Sequence, residues 1–302
     1  MKHKALAALI LAAAIWGVAG PVIKFTLSYL PPFTFLTLRM FLASLIVMPY
    51  FIKKRGLANI KKEGFTKMVS LSFLAQPLCL SLVFLGFAYT SSLEGTVIGT
   101  TSPIFLVLAG ALFLKETVTK KEQVGIAVTL LGTLLIIFVE PVLKNTPFTL
   151  ANIKGNGLIF LSNLVWIVYV ILEKKRFKGR RVYHPKGMAF SFMVAFVVLL
   201  PVAFLEMHFV KVDLVGQLLN VKALLGLLYM SLFSSVVAYL AFDFGLSQVE
   251  ASETSVFSYL QPLFTLPAAY LLLAEIPSVF MLPGLTLIGI GFWLSEKASS
   301  QQ

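Results

Sequence analysis

Apolar residues gather into ten long runs separated by short polar or basic stretches. The first five are roughly Ala5 to Leu27, Pro32 to Ile52, Met68 to Tyr89, Gly95 to Leu114 and Val124 to Phe138. The second five are roughly Gly155 to Leu172, Met188 to Leu205, Ala223 to Leu246, Thr254 to Leu273 and Val279 to Leu294. A helix needs about 20 mostly apolar residues to cross the bilayer core. The runs lack the strict polar–apolar alternation of a barrel strand. Helices, which satisfy their backbone groups internally, are the fit for lipid. Several runs are short, which predicts tilt or local thinning of the bilayer.

The pattern also repeats. Shifting the sequence by 159 positions lays Gly86 on Gly245, Glu94 on Glu253, Pro103 on Pro262 and Phe105 on Phe264. The same shift lays Glu116 on Glu275, Gly125 on Gly284 and Gly132 on Gly291. Each copy reads acid, apolar run with a central proline, acid, then an apolar run with two glycines seven apart. Glycines alone would match by chance in so apolar a chain. Acids bounding two hydrophobic runs at one constant offset indicate a duplication. The units are expected at 1–141 and 156–302, with a linker over 142–155 that holds Asn145, Thr146 and Pro147.

Composition supports a membrane protein. Of the 302 residues, 58% are hydrophobic and only 13% charged, with mean hydropathy +0.91. A soluble domain is about a quarter charged. The net charge of +12 would suggest nucleic acid in a soluble chain, but here the basic residues sit in short loops between apolar runs. With the N-terminus in the cytoplasm, nineteen lysines and arginines fall on the cytoplasmic side and four on the other. That is a strong positive-inside bias, and it places both termini in the cytoplasm of a multi-pass cell-membrane protein. Met1 to Lys4 and Ala12 to Ala14 imitate a signal peptide. The apolar run continues past them to about Val22, so a first spanning helix is expected instead. Cys79, the single cysteine, allows no intrachain disulfide.

Five helices per unit is an odd number, so the second unit must enter from the opposite side. The fold class expected is an all-α integral membrane protein of ten transmembrane helices in two inverted five-helix repeats. Inverted repeats mark secondary transporters, in which two similar halves can exchange conformations.

Trp16-Gly17 in the first helix, Arg39 in the second, and Pro103, Glu116 and Gly125 repeated as Pro262, Glu275 and Gly284 together resemble the EamA-type family of the drug/metabolite transporter superfamily. The resemblance covers essentially the whole chain. It implies carriage of small metabolites, often export of amino acids. It also implies a central cavity lined mainly by helices one, three, four, six, eight and nine, with five and ten behind. The long loop Glu173 to Lys186 departs from the family pattern.

No catalytic or metal-ligating constellation is visible. His3, His184 and His208 are not spaced as ligands, and no nucleotide-cradling glycine loop appears. No cofactor and no ATP drive are expected. Partners are a small-molecule substrate and membrane lipid.

Polar groups inside apolar runs are the candidates for a binding site. Pro103 and Pro262 remove a backbone donor and free the carbonyls of Gly99 and Ser258. Thr100 lies beside the first, and Ser258, Tyr259 and Gln261 beside the second. Each cluster reads either as a kink with self-satisfied hydroxyls or as a polar lining. Ser231, Ser235, Tyr239 and Asp243 recur every four residues, which stacks them on one helix face. A carboxylate within an apolar run faces protein or a wet cavity, unless it merely reaches the cytoplasmic end. Asp243 is therefore a candidate for proton coupling. Asn163, Trp166 and Tyr169 share a face, and Trp166 is the counterpart of Trp16. These tryptophans read as interfacial belt residues or as an aromatic pocket offering a cation–π surface. Gln76, before Pro77, is a further candidate. Lys24 and Arg39 read as cations reaching the outer interface, as a clamp for a substrate carboxylate, or, for the deeper Arg39, as half of an ion pair. The expectation is a carrier of amino acids or related amphipathic metabolites. A proton-coupled importer is the alternative, and a membrane-embedded enzyme a distant one.

Overall fold

The computed structural model describes residues 2–53, 62–114, 119–135, 150–176, 185–248, 257–276, 279 and 281–299. Among them every regular element is a helix. α1 (Lys2–Thr26) and α2 (Pro32–Lys53) are single rods. α3 (Lys62–Phe73), a π-helical segment (Leu74–Leu78) and α4 (Cys79–Tyr89) form a third. Pro77 lies inside that π segment. It has no N–H to continue the ladder, and local widening of the helix absorbs the gap.

The fourth run is broken in two. α5 (Ser92–Gly99) ends at Thr100, and α6 (Ser102–Leu114) begins two residues later with Pro103 in its first turn. Proline is tolerated there because the first N–H groups of a helix lack partners in any case. α7 (Lys120–Leu134) opens on a capping box between Thr119 and Glu122. α8 (Leu150–Arg176) begins inside the stretch expected as linker, so residues 150–155 belong to the helix and not to a loop. The rest of that linker lies outside the described residues, as do Glu116 and Glu253.

α9 (Pro185–Val210) and the short α10 (Leu214–Leu219) follow. Then α11 (Val221–Leu228), a second π segment (Tyr229–Val237) and α12 (Ala238–Gln248) form one rod. Here no proline is present. Ser235 Oγ instead donates to the Met230 carbonyl, five residues back, at 3.0 Å. A 3₁₀ turn (Phe257–Leu260) leads into α13 (Gln261–Leu273), with Pro262 in its first turn, and α14 (Met281–Ser299) completes the described chain.

Seven stretches are long and apolar enough to cross a membrane: His3–Thr26, Pro32–Lys53, Gly64–Tyr89, Ser92–Phe113, Asn152–Glu173, Gly187–Val210 and Val221–Gly245. Gln261–Leu273 and Met281–Gly291 are apolar but shorter. The protein is therefore a multi-pass, all-α membrane protein, and the described residues give seven full-length spans where ten were expected. Of the ninth run, the described residues begin at Phe257, with a 3₁₀ turn ahead of the helix Gln261–Leu273.

Packing is built on the apolar faces. The largest core joins Phe35, Leu36 and Met40 of α2 to Phe84 of α4, Phe192 of α9 and Met230 of the second π segment, all buried. The Phe35 and Phe84 rings meet at 5.1 Å. On the outside, Leu112, Phe209 and Leu271 are each more than three-quarters exposed, a surface suited to acyl chains rather than water. α2 packs on α9, α7 on α14, α4 on α8, and α1 on both α12 and α13. The repeated glycines permit the α7–α14 contact. A Cβ on Gly132 would lie 2.6 Å from the Gly284 carbonyl oxygen, and one on Gly291 would lie 2.5 Å from that of Gly125. Each pair brings a glycine of one helix onto the backbone of the other, as small residues do in membrane bundles.

Candidate functional site

Between these rods lies a cavity of about 250 Å³. Its wall takes Trp16 from α1, Arg39 from α2, Val83 from α4, Asn163 and Trp166 from α8, and Tyr239 from α12. α5, α6 and α13 contribute Gly99, Pro103 and Gln261. The six rods implied by the family resemblance all line it, together with α2 through Arg39. No lining residue comes from α7 or α14.

Arg39 is the charged residue of this wall. It is 2% exposed. Its Nε donates to Ser235 Oγ at 2.8 Å and its Nη2 to Ser234 Oγ at 3.3 Å. The guanidinium carbon stands 5.7 Å from the Phe84 ring centre. All three partners are neutral. Among the described residues no carboxylate pairs with it, so neither an interfacial reach to water nor an internal ion pair describes this residue.

The π segment makes the arrangement. In a regular helix, successive residues point about 100° apart. The wider turn at Tyr229–Val237 lets adjacent Ser234 and Ser235 both meet the guanidinium. It also breaks the expected stripe. Ser231 turns its hydroxyl to the Leu227 carbonyl at 2.7 Å, Ser235 and Tyr239 stay beside Arg39, and Asp243 is absent from the cavity wall. Asp243 instead lies near Glu173, Tyr169 and Tyr239. Gln76, in the other π segment, is 1% exposed and lies against Tyr239, with its Oε1 unpartnered.

Aromatic rings form the rest of the pocket. Trp16 meets Tyr239 edge-on at 5.2 Å and Phe242 at 5.1 Å. Trp166 meets Tyr169 at 5.1 Å and the same Phe242 at 6.4 Å. The two tryptophans are thus half-buried around Phe242, on the cavity wall. Trp16 Nε1 donates to the Ser234 carbonyl at 3.1 Å, which fixes the indole against the second π segment. Tyr229 donates to the Ile15 carbonyl at 2.8 Å, and Thr265 of α13 to the Gly17 carbonyl at 2.7 Å.

The break in the fourth rod is held from α8. Asn163 Nδ2 donates to the Ile98 carbonyl at 2.9 Å and to Thr101 Oγ1 at 3.2 Å. Thr100 spends its hydroxyl on the Val97 carbonyl at 2.6 Å and stays off the cavity wall. Lys24 is bonded to the Phe87 carbonyl at 2.9 Å, away from Arg39's partners, so the two cations do not form one clamp. Tyr169, Gln76 and Ser235 sit behind the wall rather than on it. Pro262 is buried at the start of α13, and the side chains of Ser258 and Tyr259 lie outside the described residues.

Among the cavity residues that escaped the sequence reading are Ser234 and Phe242. A spacing of four selected Ser235 and passed over its neighbour, because π-helical turns carry no sequence signature without proline. Phe242 follows Tyr239 at three residues and was hidden among 27 phenylalanines.

Comparison with known proteins agrees with this architecture. The model of the EamA-like transporter family matches twice, over residues 3–138 and 153–296. An "Uncharacterized transporter" of Archaeoglobus fulgidus is 28% identical over 303 residues, covering 100% of each chain. The "Uncharacterized transporter YyaM" of Bacillus subtilis is 26% identical, covering 96% of this chain and 93% of that protein. The "Uncharacterized inner membrane transporter YhbE" of Escherichia coli strain K12 is 28% identical, covering 96% and 88%. One solved crystal structure superposes over 100% of both chains with a TM-score of 0.71 at 14% identity, a likeness of fold alone. With two family matches that together span nearly the whole sequence, the chain belongs to the EamA-like transporter family.

Proposed function

We propose that this transporter is a secondary carrier that exports small organic metabolites, amino acids and related amphipathic compounds, by alternating access around the Arg39 cavity. The observation that carries the reading is the composition of the cavity wall. It joins rods from both halves of the sequence, and it sets an aromatic lining beside a buried cation. Ligand sites of this kind combine a mainly apolar pocket with a few placed polar groups.

The ten-helix inverted repeat is part of the proposal. Three features support it. The family model matches twice. The first π segment, moved by the 159-residue offset, falls within the second. The packing also maps onto itself when the halves are exchanged: α2 on α9 and α7 on α14 are self-paired, while α4 on α8 corresponds to α12 on α1. Two halves of one design around a shared site can rock between opposite openings. Cytoplasmic termini in the cell membrane rest on the positive-inside bias, and export rests on the family resemblance.

Counterflow in liposomes tests the mechanism. Vesicles preloaded with an unlabelled metabolite should accumulate the labelled one transiently, because a carrier exchanges solutes one for one. Equilibration without overshoot would indicate a channel and end the proposal. Reporter tags on the two termini should emerge on the same side of the membrane.

A further inference from the structure

We propose that Arg39 holds the carboxylate of the transported compound, and that the cavity selects monoanions with an apolar body over zwitterions and cations. This rests on the carrier reading above but departs from it on substrate class, putting amphipathic monocarboxylates in place of zwitterionic amino acids.

A guanidinium has five N–H donors and keeps its charge in proteins. Two of those of Arg39 are engaged, both with serine hydroxyls. Burying a charge without a counter-ion is costly, and the three remaining donors of this one belong to a residue on the cavity wall. A carboxylate matches that fork in geometry and cancels the charge. Ser234 and Ser235 orient the guanidinium without neutralising it, and the Phe84 face supports it from the side.

The opposite end of the solute meets a different surface. No aspartate, glutamate, lysine or histidine is among the lining residues. Trp16, Trp166, Tyr239 and Phe242 form the body of the pocket, and Asp243 is not part of it. An ammonium group would have to give up its water for ring faces and for neutral acceptors: the side chains of Thr96, Ser102, Asn163 and Gln261, and the Gly99 carbonyl, which Pro103 leaves without its usual helical donor. Those are dipoles and quadrupoles, not charges. A net charge of −1 on the solute balances the wall; a charge of 0 or +1 leaves the guanidinium or an ammonium uncompensated. A volume of about 250 Å³ lies just below the usual range for ligand pockets, about 300–1,000 Å³, so the solute is compact.

The test uses two sets of solutes that share a body and differ in charge. The first is 3-phenylpropionate, phenylalanine and phenethylamine. The second is 4-methylpentanoate, leucine and isoamylamine. Purified full-length protein is heated with each, and each is then used as the preloaded solute in counterflow. The expected result is that one or both carboxylates raise the unfolding midpoint at concentrations at least tenfold below their amino-acid or amine counterparts. Arg39→Gln should abolish the shift, and Arg39→Lys should retain part of it. If Arg39→Gln does not fold, the ranking within each set on the unaltered protein still decides. Stronger binding of the zwitterions or amines overturns the assignment and leaves the carrier reading intact. So does an unchanged carboxylate shift in Arg39→Gln. Binding by none of the six also overturns it, and the carrier reading is then judged separately, by counterflow with a broad metabolite panel.

Discussion

Glu275 closes the N-terminus of α5 from the far half of the sequence through Ser92. Its carboxylate accepts from the Ser92 amide at 3.1 Å, from Ser92 Oγ at 2.7 Å and from the Leu93 amide at 3.2 Å. The first amides of a helix have no internal partners, and the helix dipole favours a negative charge there. Ser91 caps the same end through the Glu94 amide. One end of the broken rod is therefore tied to α13, whose packing partner α1 carries Trp16. Replacing Glu275 by Ala should cost about 0.5–2 kcal/mol, the range for losing a helix cap. It should lower the midpoint of thermal unfolding in detergent. Glu275→Gln, which keeps an acceptor, should lose less. Equal midpoints for all three proteins would count against the capping role.

The reach of Glu275 depends on its neighbour. Ala274 ends α13 with φ 52° and ψ 25°, and the amides of Ala274 and Glu275 return to the carbonyls of Tyr270 and Ala269. This is the hydrogen-bond pattern in which glycine is usual. An L-residue in the left-handed region costs roughly 1–2 kcal/mol, while glycine gives up about 0.4–1 kcal/mol through the unfolded chain. The difference favours glycine. Ala274→Gly should be neutral to stabilising by up to about 1 kcal/mol, with the Glu275 contacts kept. A clear drop in unfolding midpoint would show that the turn is not held as described.

Much of this was legible beforehand, and the exceptions have a common cause. Repeated glycines marked places where a helix can admit a neighbour's backbone, but not that α7 and α14 would be each other's neighbours. Paired prolines foretold interruptions of the fourth and ninth rods. Arg39 stood out as a cation in the wrong solvent. What stayed hidden depends on helix phase or on distant chain. The second π segment has no proline to announce it, so a regular four-residue stripe led to Asp243 and past Ser234. The contact of Glu275 with Ser92 joins residues 183 apart, a separation that no local pattern announces. Asn163 was selected for sharing a face with Trp166, yet its side chain serves the broken backbone at Ile98. Residue types were visible in the sequence; their partners required the packed structure.

The α7–α14 contact should tolerate no side chain at its crossing. A methyl at position 291 would meet the Gly125 carbonyl oxygen at 2.5 Å and the Thr129 amide at 2.7 Å, both backbone atoms that cannot turn aside. Separating the helices removes contacts on both faces, and overpacking of this kind costs about 1–3 kcal/mol. Gly291→Ala and Gly132→Ala should each lower the unfolding midpoint. Because neither helix lines the cavity, the concentration of solute needed for half-maximal stabilisation should be unchanged. A variant that weakens solute binding while keeping its midpoint would reverse that assignment.

Asp243 provides the sharpest separation between two uses of the cavity. If its carboxyl carried a coupled proton by direct contact with the solute, it would have to stand on the cavity wall. Instead, Tyr239 and Phe242 occupy the wall on that stretch of α12, and Asp243 lies behind them, near Glu173, Tyr169 and Tyr239. Asparagine preserves the shape and removes the charge. Asp243→Asn should therefore leave solute exchange in counterflow within about twofold of the unaltered protein, a change near 0.4 kcal/mol. The same variant should respond to an imposed pH gradient as the unaltered protein does. Trp16→Ala is the contrasting case. It removes two ring contacts and the bond to the Ser234 carbonyl, and it should weaken exchange by tenfold or more, since about 1.4 kcal/mol is a factor of ten. Loss of exchange in Asp243→Asn, together with loss of its response to the gradient, would return the acid to the transport cycle and make proton coupling the better account.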